Sequence, residues 1–326
     1  MSLTELRHLI ARHAEHADGL VDGLLLSRTD WPTAPTVGMA EPVMALVVQG
    51  RKRLMLGDLV YDYGAGQYLV VTVDLPVTGH CTQATPEEPL LGFGLVLKPA
   101  RIASLLLEAS AAAESARPAG PQRLHQRADT RRRPGDTGHT DRAIPHGLAV
   151  SDAPADLVDA VTRMVRLLDH PDDAPILAPM LEKEILWRLV TGEQGMLVRQ
   201  IGLADSRLTQ ISRAIHWIRE HHTQTLRVED LAHVAGMSVS PFHRHFRAVT
   251  AMTPIQYQKR IRLQEARLML MSSTEDVATV GFAVGYDSAS QFSREYRRHF
   301  GTPPGADAAR LRRQPAGNDA AEMSTV

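Results

Sequence analysis

Between Pro42 and Leu97 the apolar residues come in short runs. They are Pro42 to Gln49, Arg53 to Leu56, Leu59 to Tyr61, Tyr68 to Val73 and Leu90 to Leu97, and Gly50, Gly57-Asp58 and Gly64-Ala-Gly66 punctuate them. Short runs with glycine turns predict strands in a barrel or a sandwich, and spacing does not choose between the two. Past residue 150 the period becomes helical. Leu157, Val161, Met164, Val165 and Leu168 form one stripe over about 156–169, and Leu177, Leu181, Ile185 and Leu189 form another over about 176–191. The first twenty residues read as a polar amphipathic helix with His8, His13 and His16 in solvent. Residues 111–148, rich in Arg, Pro and Gly and containing Arg131-Arg-Arg133-Pro134-Gly135, show no period and read as a flexible loop; 314–326 reads as a disordered tail.

The most specific pattern lies further on and occurs twice. Gly236-Met-Ser238 is followed by Phe242-His-Arg244-His-Phe246-Arg247. Gly285-Tyr-Asp-Ser288 is followed by Phe292-Ser-Arg294-Glu-Tyr296-Arg297, with one extra residue between glycine and phenylalanine. A short apolar-periodic stretch precedes each glycine. Helix, glycine turn and second helix make the helix-turn-helix signature, whose second helix can enter the DNA major groove. Phe242 and Phe246, and Phe292 and Tyr296, are four apart and mark the core face of each second helix. Ser238 is the expected cap of the first of these helices, with Pro241 in its first turn, and Ser288 with Gln291 has capping-box spacing. Thr253-Pro254 opens a helix running to about Met271. At ~1.5 Å per residue it is about 25 Å long, enough to set two reading helices about one DNA turn, roughly 34 Å, apart.

The outer faces carry the candidate chemistry. Ser240, His243, Arg244, Ser290, Gln291 and Arg294 are the candidate base readers. Arg247, Arg297 and Arg298, further along their helices, are candidate phosphate contacts. Arginine's planar fork suits guanine edges and phosphates, and glutamine can pair with adenine. A helical hairpin with a merely solvated face is the alternative for either copy alone; the repeat at matched spacing argues against it.

These residues carry a resemblance. From about Leu208 to Arg313 the chain resembles the DNA-binding domain of AraC/XylS-family transcriptional regulators. The matching positions include Leu231-Ala232, Gly236-Met237-Ser238, Arg262-Leu263, Ala266-Arg267, Val284-Gly285-Tyr286, Phe300-Gly301 and Pro304. Gly281 departs from the small alanine usual in that helix, and Asp307 from the usual aromatic near the last one. Upstream, Gln49-Gly-Arg-Lys52, Leu56-Gly-Asp58, Tyr61-Asp-Tyr63, Gly66-Gln-Tyr68 and Asp74-Leu-Pro76 resemble the N-terminal domain of one AraC-type subgroup. The resemblance implies an α+β chain: a cupin-like β-barrel with associated helices, then an all-α domain of two helix-turn-helix units joined by a long helix. It divides the chain into a β-rich, effector-sensing part (1–110), the loop (111–148), a helical part with a dimerisation role (149–200) and the DNA-binding domain (206–313).

Charge supports this division. Residues 206–313 hold 16 Lys/Arg against 9 Asp/Glu, and residues 1–205 hold 20 against 26, an asymmetry hidden in the overall −1. A basic part suits a polyanion. The single cysteine, Cys81, excludes an intrachain disulfide and, next to His80 on a strand, reads as buried and inert rather than redox-active. The β region holds only His80 where a metal-dependent barrel enzyme needs about three ligands, so no catalytic residue, metal or cofactor is expected. Arg51-Lys-Arg53 reads as a solvated turn rather than an anion site. No apolar run approaches a membrane span. The expectation is a cytoplasmic regulator binding double-stranded DNA over two major-groove segments, with a small-molecule effector of unknown site, a homodimer, and RNA polymerase as partner if it activates. The alternatives are a small-molecule enzyme with secondary DNA binding, and a signal-independent regulator using the barrel only to dimerise.

Overall fold

The computed structural model describes residues 3–14, 20–115, 146–272 and 275–312. Helix α1 (Leu3–His13) buries Leu6, Leu9 and Ile10 and precedes eight strands: β1 (Leu24–Thr29), β2 (Thr36–Ala40), β3 (Val43–Gln49), β4 (Arg51–Leu56), β5 (Leu59–Gly64), β6 (Gln67–Val71), β7 (Leu75–Gln83) and β8 (Leu90–Val96). After α2 (Pro99–Ser115), strand β9 (Leu148–Asp152) completes two antiparallel sheets, ordered β1-β8-β3-β6-β9 and β2-β7-β4-β5. This is a sandwich, with no hydrogen-bonded closure into a barrel among the described residues. Strand β3 lies between β8 and β6, and Val43–Val48 are all buried, which is why its sequence is apolar without alternation.

Several expectations need correction. Strands β1, β2 and β9 are additional, and β7 lies outside the five apolar runs, touched only by the reading of His80 as strand. The partners of β1, β2 and β9 lie far along the chain, so no local alternation announces them. Arg51-Lys-Arg53 is strand, not turn: Arg53 stands opposite Asp62 and donates to both its oxygens at 2.7 and 2.8 Å. His13 is not solvated but bonds Asp169 at 2.9 Å. The second helical stripe holds except at its start. In α4 (Ala174–Thr191) Ile185 and Leu189 are buried and Leu181 packs on the core, while Leu177 is exposed and Ala178 is buried in its stead. The first stripe holds in α3 (Ala155–Arg166), whose Leu157, Val161, Met164 and Val165 are buried. Helix α5 (Gly195–Gly202) packs against α2 and α4. Most of the expected loop (116–145) and the expected tail lie outside the described residues.

The C-terminal helices are α6 (Arg207–Glu220), α7 (Val228–Val234), α8 (Val239–Thr250), α9 (Pro254–Ser272), α10 (Val277–Ala283), α11 (Ala289–Phe300) and α12 (Pro304–Leu311). Helix α9 begins as its sequence predicts, with a complete capping box: Gln256 N–H donates to Thr253 Oγ1, and Thr253 N–H donates to Gln256 Oε1 at 2.9 Å. The apolar core does not follow the boundary between the β-rich and helical parts. Phe242, Phe246, Val249, Met252, Tyr257 and Ile261 belong to one cluster with the sandwich. Leu263, Ala266, Leu270, Val280, Val284, Tyr286, Phe292, Tyr296 and Ala308 form a second, smaller one. Polar contacts reinforce the first attachment. Gly147 N–H donates to Val249 O at 2.9 Å, Tyr257 Oη donates to Asp74 O at 2.8 Å, and Arg219 pairs with Asp74 at 2.5 Å.

Candidate nucleic-acid interface

The two turns are the same object. Helix α7 stops at Ala235; Gly236 N–H donates to His233 O and Met237 N–H to Ala232 O, both at 2.9 Å. Helix α10 stops at Val284; Gly285 N–H donates to Phe282 O at 2.9 Å and Tyr286 N–H to Gly281 O at 3.0 Å. This paired closure needs a left-handed residue just past the helix, and Gly236 and Gly285 supply it at φ +67° and +91°.

The extra residue of the second copy falls in the turn, between glycine and cap. Counted from Ser238 and Ser288 the helices are in register: Phe242 matches Phe292, Arg244 matches Arg294 and Arg247 matches Arg297. The caps differ. Ser288 Oγ accepts from Gln291 N–H, whereas Ser238 occupies the cap position without a side-chain bond. The second capping box is also half-made, because the Gln291 side chain donates to Glu295 Oε1 at 3.3 Å instead of turning back.

Phe242, Phe246, Phe292 and Tyr296 are fully buried. Phe242 packs on Phe246 with centroids 5.5 Å apart, and Phe292 on Tyr296 at the same separation. With the aromatic stripes inward, Ser240, His243, Arg244 and Arg247 are all exposed on α8, as are Ser290, Arg294, Arg297 and Arg298 on α11. Each set shares its helix's outward side. Gln291 is only half exposed and engaged with Glu295. Burial pushes the Glu295 carboxyl up, but bonds from Lys259, Gln291 and Tyr286 outweigh it and hold the group below the usual range. Glu295 is thus a fixed anion beneath α11 rather than part of its outward face.

Three supporting residues carried no role in the sequence reading. Arg262 of α9 donates to His222 O (2.6 Å), Gln224 O (2.9 Å) and Gly285 O (2.7 Å), so one guanidinium ties the loop before α7 to the second turn. Asp307, where an aromatic is usual, lies inside an unbroken α12 and is 1 % exposed. It accepts from Arg267 at 3.0 Å, Tyr296 Oη at 2.9 Å and Arg310 at 2.8 Å. Burial pushes its carboxyl up, yet these donors hold it below the ordinary value. Gly281, where alanine is usual, faces Phe292: a Cβ there would sit 2.8 Å from the ring. Among the signals available, only the family match marked Arg262. His299 is half-buried at the end of α11, and desolvation plus the fields of Arg260, Arg267 and Arg298 push it down to about 4.

Among the described residues no group of three His, Cys, Asp or Glu is placed to hold a metal ion. No described helix is long and apolar enough to cross a membrane.

Comparison with known proteins agrees with this architecture. Residues 20–197 match the profile of the AraC-type transcriptional regulator N-terminus, and residues 231–310 match that of a helix-turn-helix domain. The HTH-type transcriptional activator RhaS of Klebsiella pneumoniae (strain 342) is 32% identical over 124 residues, covering 37% of this chain and 44% of the relative. RhaS of Escherichia fergusonii is 28% identical over 146 residues, 44% of this chain and 51% of that one. The chain therefore spans about half the length of these relatives. Unsaturated fatty acid bound ToxT from Vibrio cholerae shares the fold over 88% of this chain and 93% of its own, with a TM-score of 0.50 at 9% identity. ToxT from Vibrio cholerae O395 aligns over 90% and 99%, also with a TM-score of 0.50, at 8% identity.

Proposed function

Because the chain belongs to the AraC-type transcriptional regulators, we propose that it binds double-stranded DNA sequence-specifically, laying α8 and α11 in two segments of major groove. One observation carries the reading: two exposed arginines, Arg244 and Arg294, stand at the same position of two helices whose turns and aromatic cores repeat each other. These two read bases, assisted by Ser240, His243 and Ser290. Arg247, Arg297 and Arg298 hold phosphates. Gln291 reads adenine only after releasing Glu295. The relatives named activators support contact with RNA polymerase at target promoters, and a DNA partner supports a cytoplasmic location. The solved relative bound to a fatty acid supports a small-molecule signal. The exposed Ile176 and Met180 on α4 offer a surface for a homodimer.

Selection of sheared genomic DNA by the purified chain, followed by sequencing, tests the reading. A two-part site is expected, lost in the Arg244→Ala/Arg294→Ala double variant. Enrichment of the same fragments by that variant would refute the assignment of the reading helices.

A further inference from the structure

A cleft of about 840 Å³ lies where the edge of the four-stranded sheet faces the helices. Its walls come from residues 33–39 before and in β2, from α6, from α9 and from the end of α12. That volume suits a drug-sized ligand. The sandwich interior, by contrast, is filled by Met44, Leu46, Tyr63 and Tyr68, all fully or almost fully buried.

Two independent features state what the cleft would accept. The first is Gln264, a wall residue only 9 % exposed. Its Nε2 donates to Gly38 O at 2.9 Å, which fixes the amide's orientation, and its buried Oε1 has no hydrogen-bond partner. An orphaned buried acceptor is costly, and a donor on a guest molecule relieves it. The second is charge. The cleft's three arginines are already committed, Arg219 to Asp74 at 2.5 Å and Arg267 and Arg310 to Asp307 at 3.0 and 2.8 Å. His216 is paired with Glu220 at 3.1 Å. Glu265 and Glu41 make no salt bridge among the described residues, although Glu41 acts through its field on Arg219. The uncommitted charge is negative. Between these groups lie Val37, Met39, Ile261 and Leu268, the last 41 % exposed where a ligand would cover it.

We propose that this cleft binds a small apolar molecule bearing a protonated amine. The ammonium donates to Gln264 Oε1 within the negative field of Glu265, and the apolar body covers Leu268. The occupied cleft ties α9 and α12, and with them the second reading unit, to the sheet. This last consequence rests on the regulator reading; the binding itself does not.

The test uses the whole chain and three probes that share one body: 1-naphthylmethylamine, 1-naphthylmethanol and 1-naphthoate. Calorimetry and thermal unfolding should show the amine binding more tightly than the alcohol, and the carboxylate not binding. Gln264→Met should weaken the amine about tenfold, the worth of one hydrogen bond. Leu268→Trp, filling the cleft from an exposed position, should abolish amine binding in a chain that still unfolds cooperatively on heating. Failure of the amine to bind, equal binding of naphthoate, or unchanged amine binding by Leu268→Trp would each overturn the proposal. Gel-shift assays on the same samples separate the readings. DNA binding without amine binding defeats the cleft alone, and amine binding without DNA binding supports the cleft and defeats the regulator reading.

Discussion

Gly236 and Gly285 occupy the same place in their two turns, yet what lies beside them differs. A Cβ on Gly236 would meet only the tip of Arg213 at 3.8 Å, while one on Gly285 would lie 2.4 Å from Thr223 O, in the backbone of the first unit. The same contrast runs through the whole pair. The first unit shares its core with the sandwich and is bonded to it through Val249 and Tyr257. The second has a small core of its own, closed by Asp307 and clipped to the first by Arg262. Identical local parts therefore sit at different distances from any signal in the N-terminal region. The first reading helix shares the sandwich's core, and the second shares a core with the later part of α9.

Asp307→Ala should break this contrast most severely. It leaves Arg267 and Tyr296 Oη without their acceptor in a small core, at about 3–5 kcal/mol. Hydrogen exchange should show protection lost across 275–311 and retained in α6–α8. Uniform loss would mean that the two units unfold together. Acid should act in the same direction. Asp307 has a depressed pKa, so its contribution is present above the unfolded value near ~3.9 and is lost as pH falls through the folded one. His299, neutral in the fold down to about 4, takes a proton more readily when unfolded, so stability also falls from about pH 6.5 toward 4. The second unit should open first when its exchange is followed down in pH. Replacing His299 with Gln should flatten the upper part of that slope.

Gly285→Ala should cost about 3 kcal/mol, from overpacking against backbone together with the left-handed φ, against about 1 kcal/mol for Gly236→Ala. Denaturant melts of the two variants compare them directly, and equal costs would show that Thr223 can move aside. Arg294→Ala should relax specificity at one base position by about 1–3 kcal/mol, whereas Arg297→Ala should reduce the salt slope by about one without changing specificity. Binding to a set of single-base site variants at several salt concentrations distinguishes them.

The smallest effect concerns how the reading helices end. Both close on a left-handed residue, Ala251 at φ +57° and Gly301 at φ +77°. Ala251→Gly should stabilise by up to about 1 kcal/mol, and Gly301→Ala, which has open space around it, should destabilise by about the same. Paired thermal melts suffice. A loss in both variants would mean that the Ala251 methyl contributes more through its packing near Gly57 than its φ costs.

The repeated F-x-R-x-[FY]-R pattern was legible because helix, turn and cap are local. Four-residue spacing buries Phe242 with Phe246, a glycine closes each turn, and the arginines are left outside. The helix start at Thr253-Pro254 was legible for the same reason, though the reciprocal bond from Gln256 was not part of that reading. Local reading stopped where a partner is distant. Strand β9 is a strand because β6 stands open beside it. Asp307 looked like a defect because its donors Arg267 and Tyr296 lie 40 and 11 residues away. The hold on the Gln291 side chain was not legible, because Glu295, four residues on, is itself bonded by Lys259 and Tyr286 from elsewhere in the chain.

The chain by itself thus determined its periodic elements, its two turns and the outward chemistry of two helices, all properties of windows shorter than about twenty residues. Tertiary structure alone decided that the β runs form two sheets, that the apolar core divides between the reading units, and that Gln264, with an unpartnered acceptor, stands in the wall of a cleft whose arginines are already paired. Those outcomes depend on which distant groups meet, and pairings of that kind leave no period in the sequence.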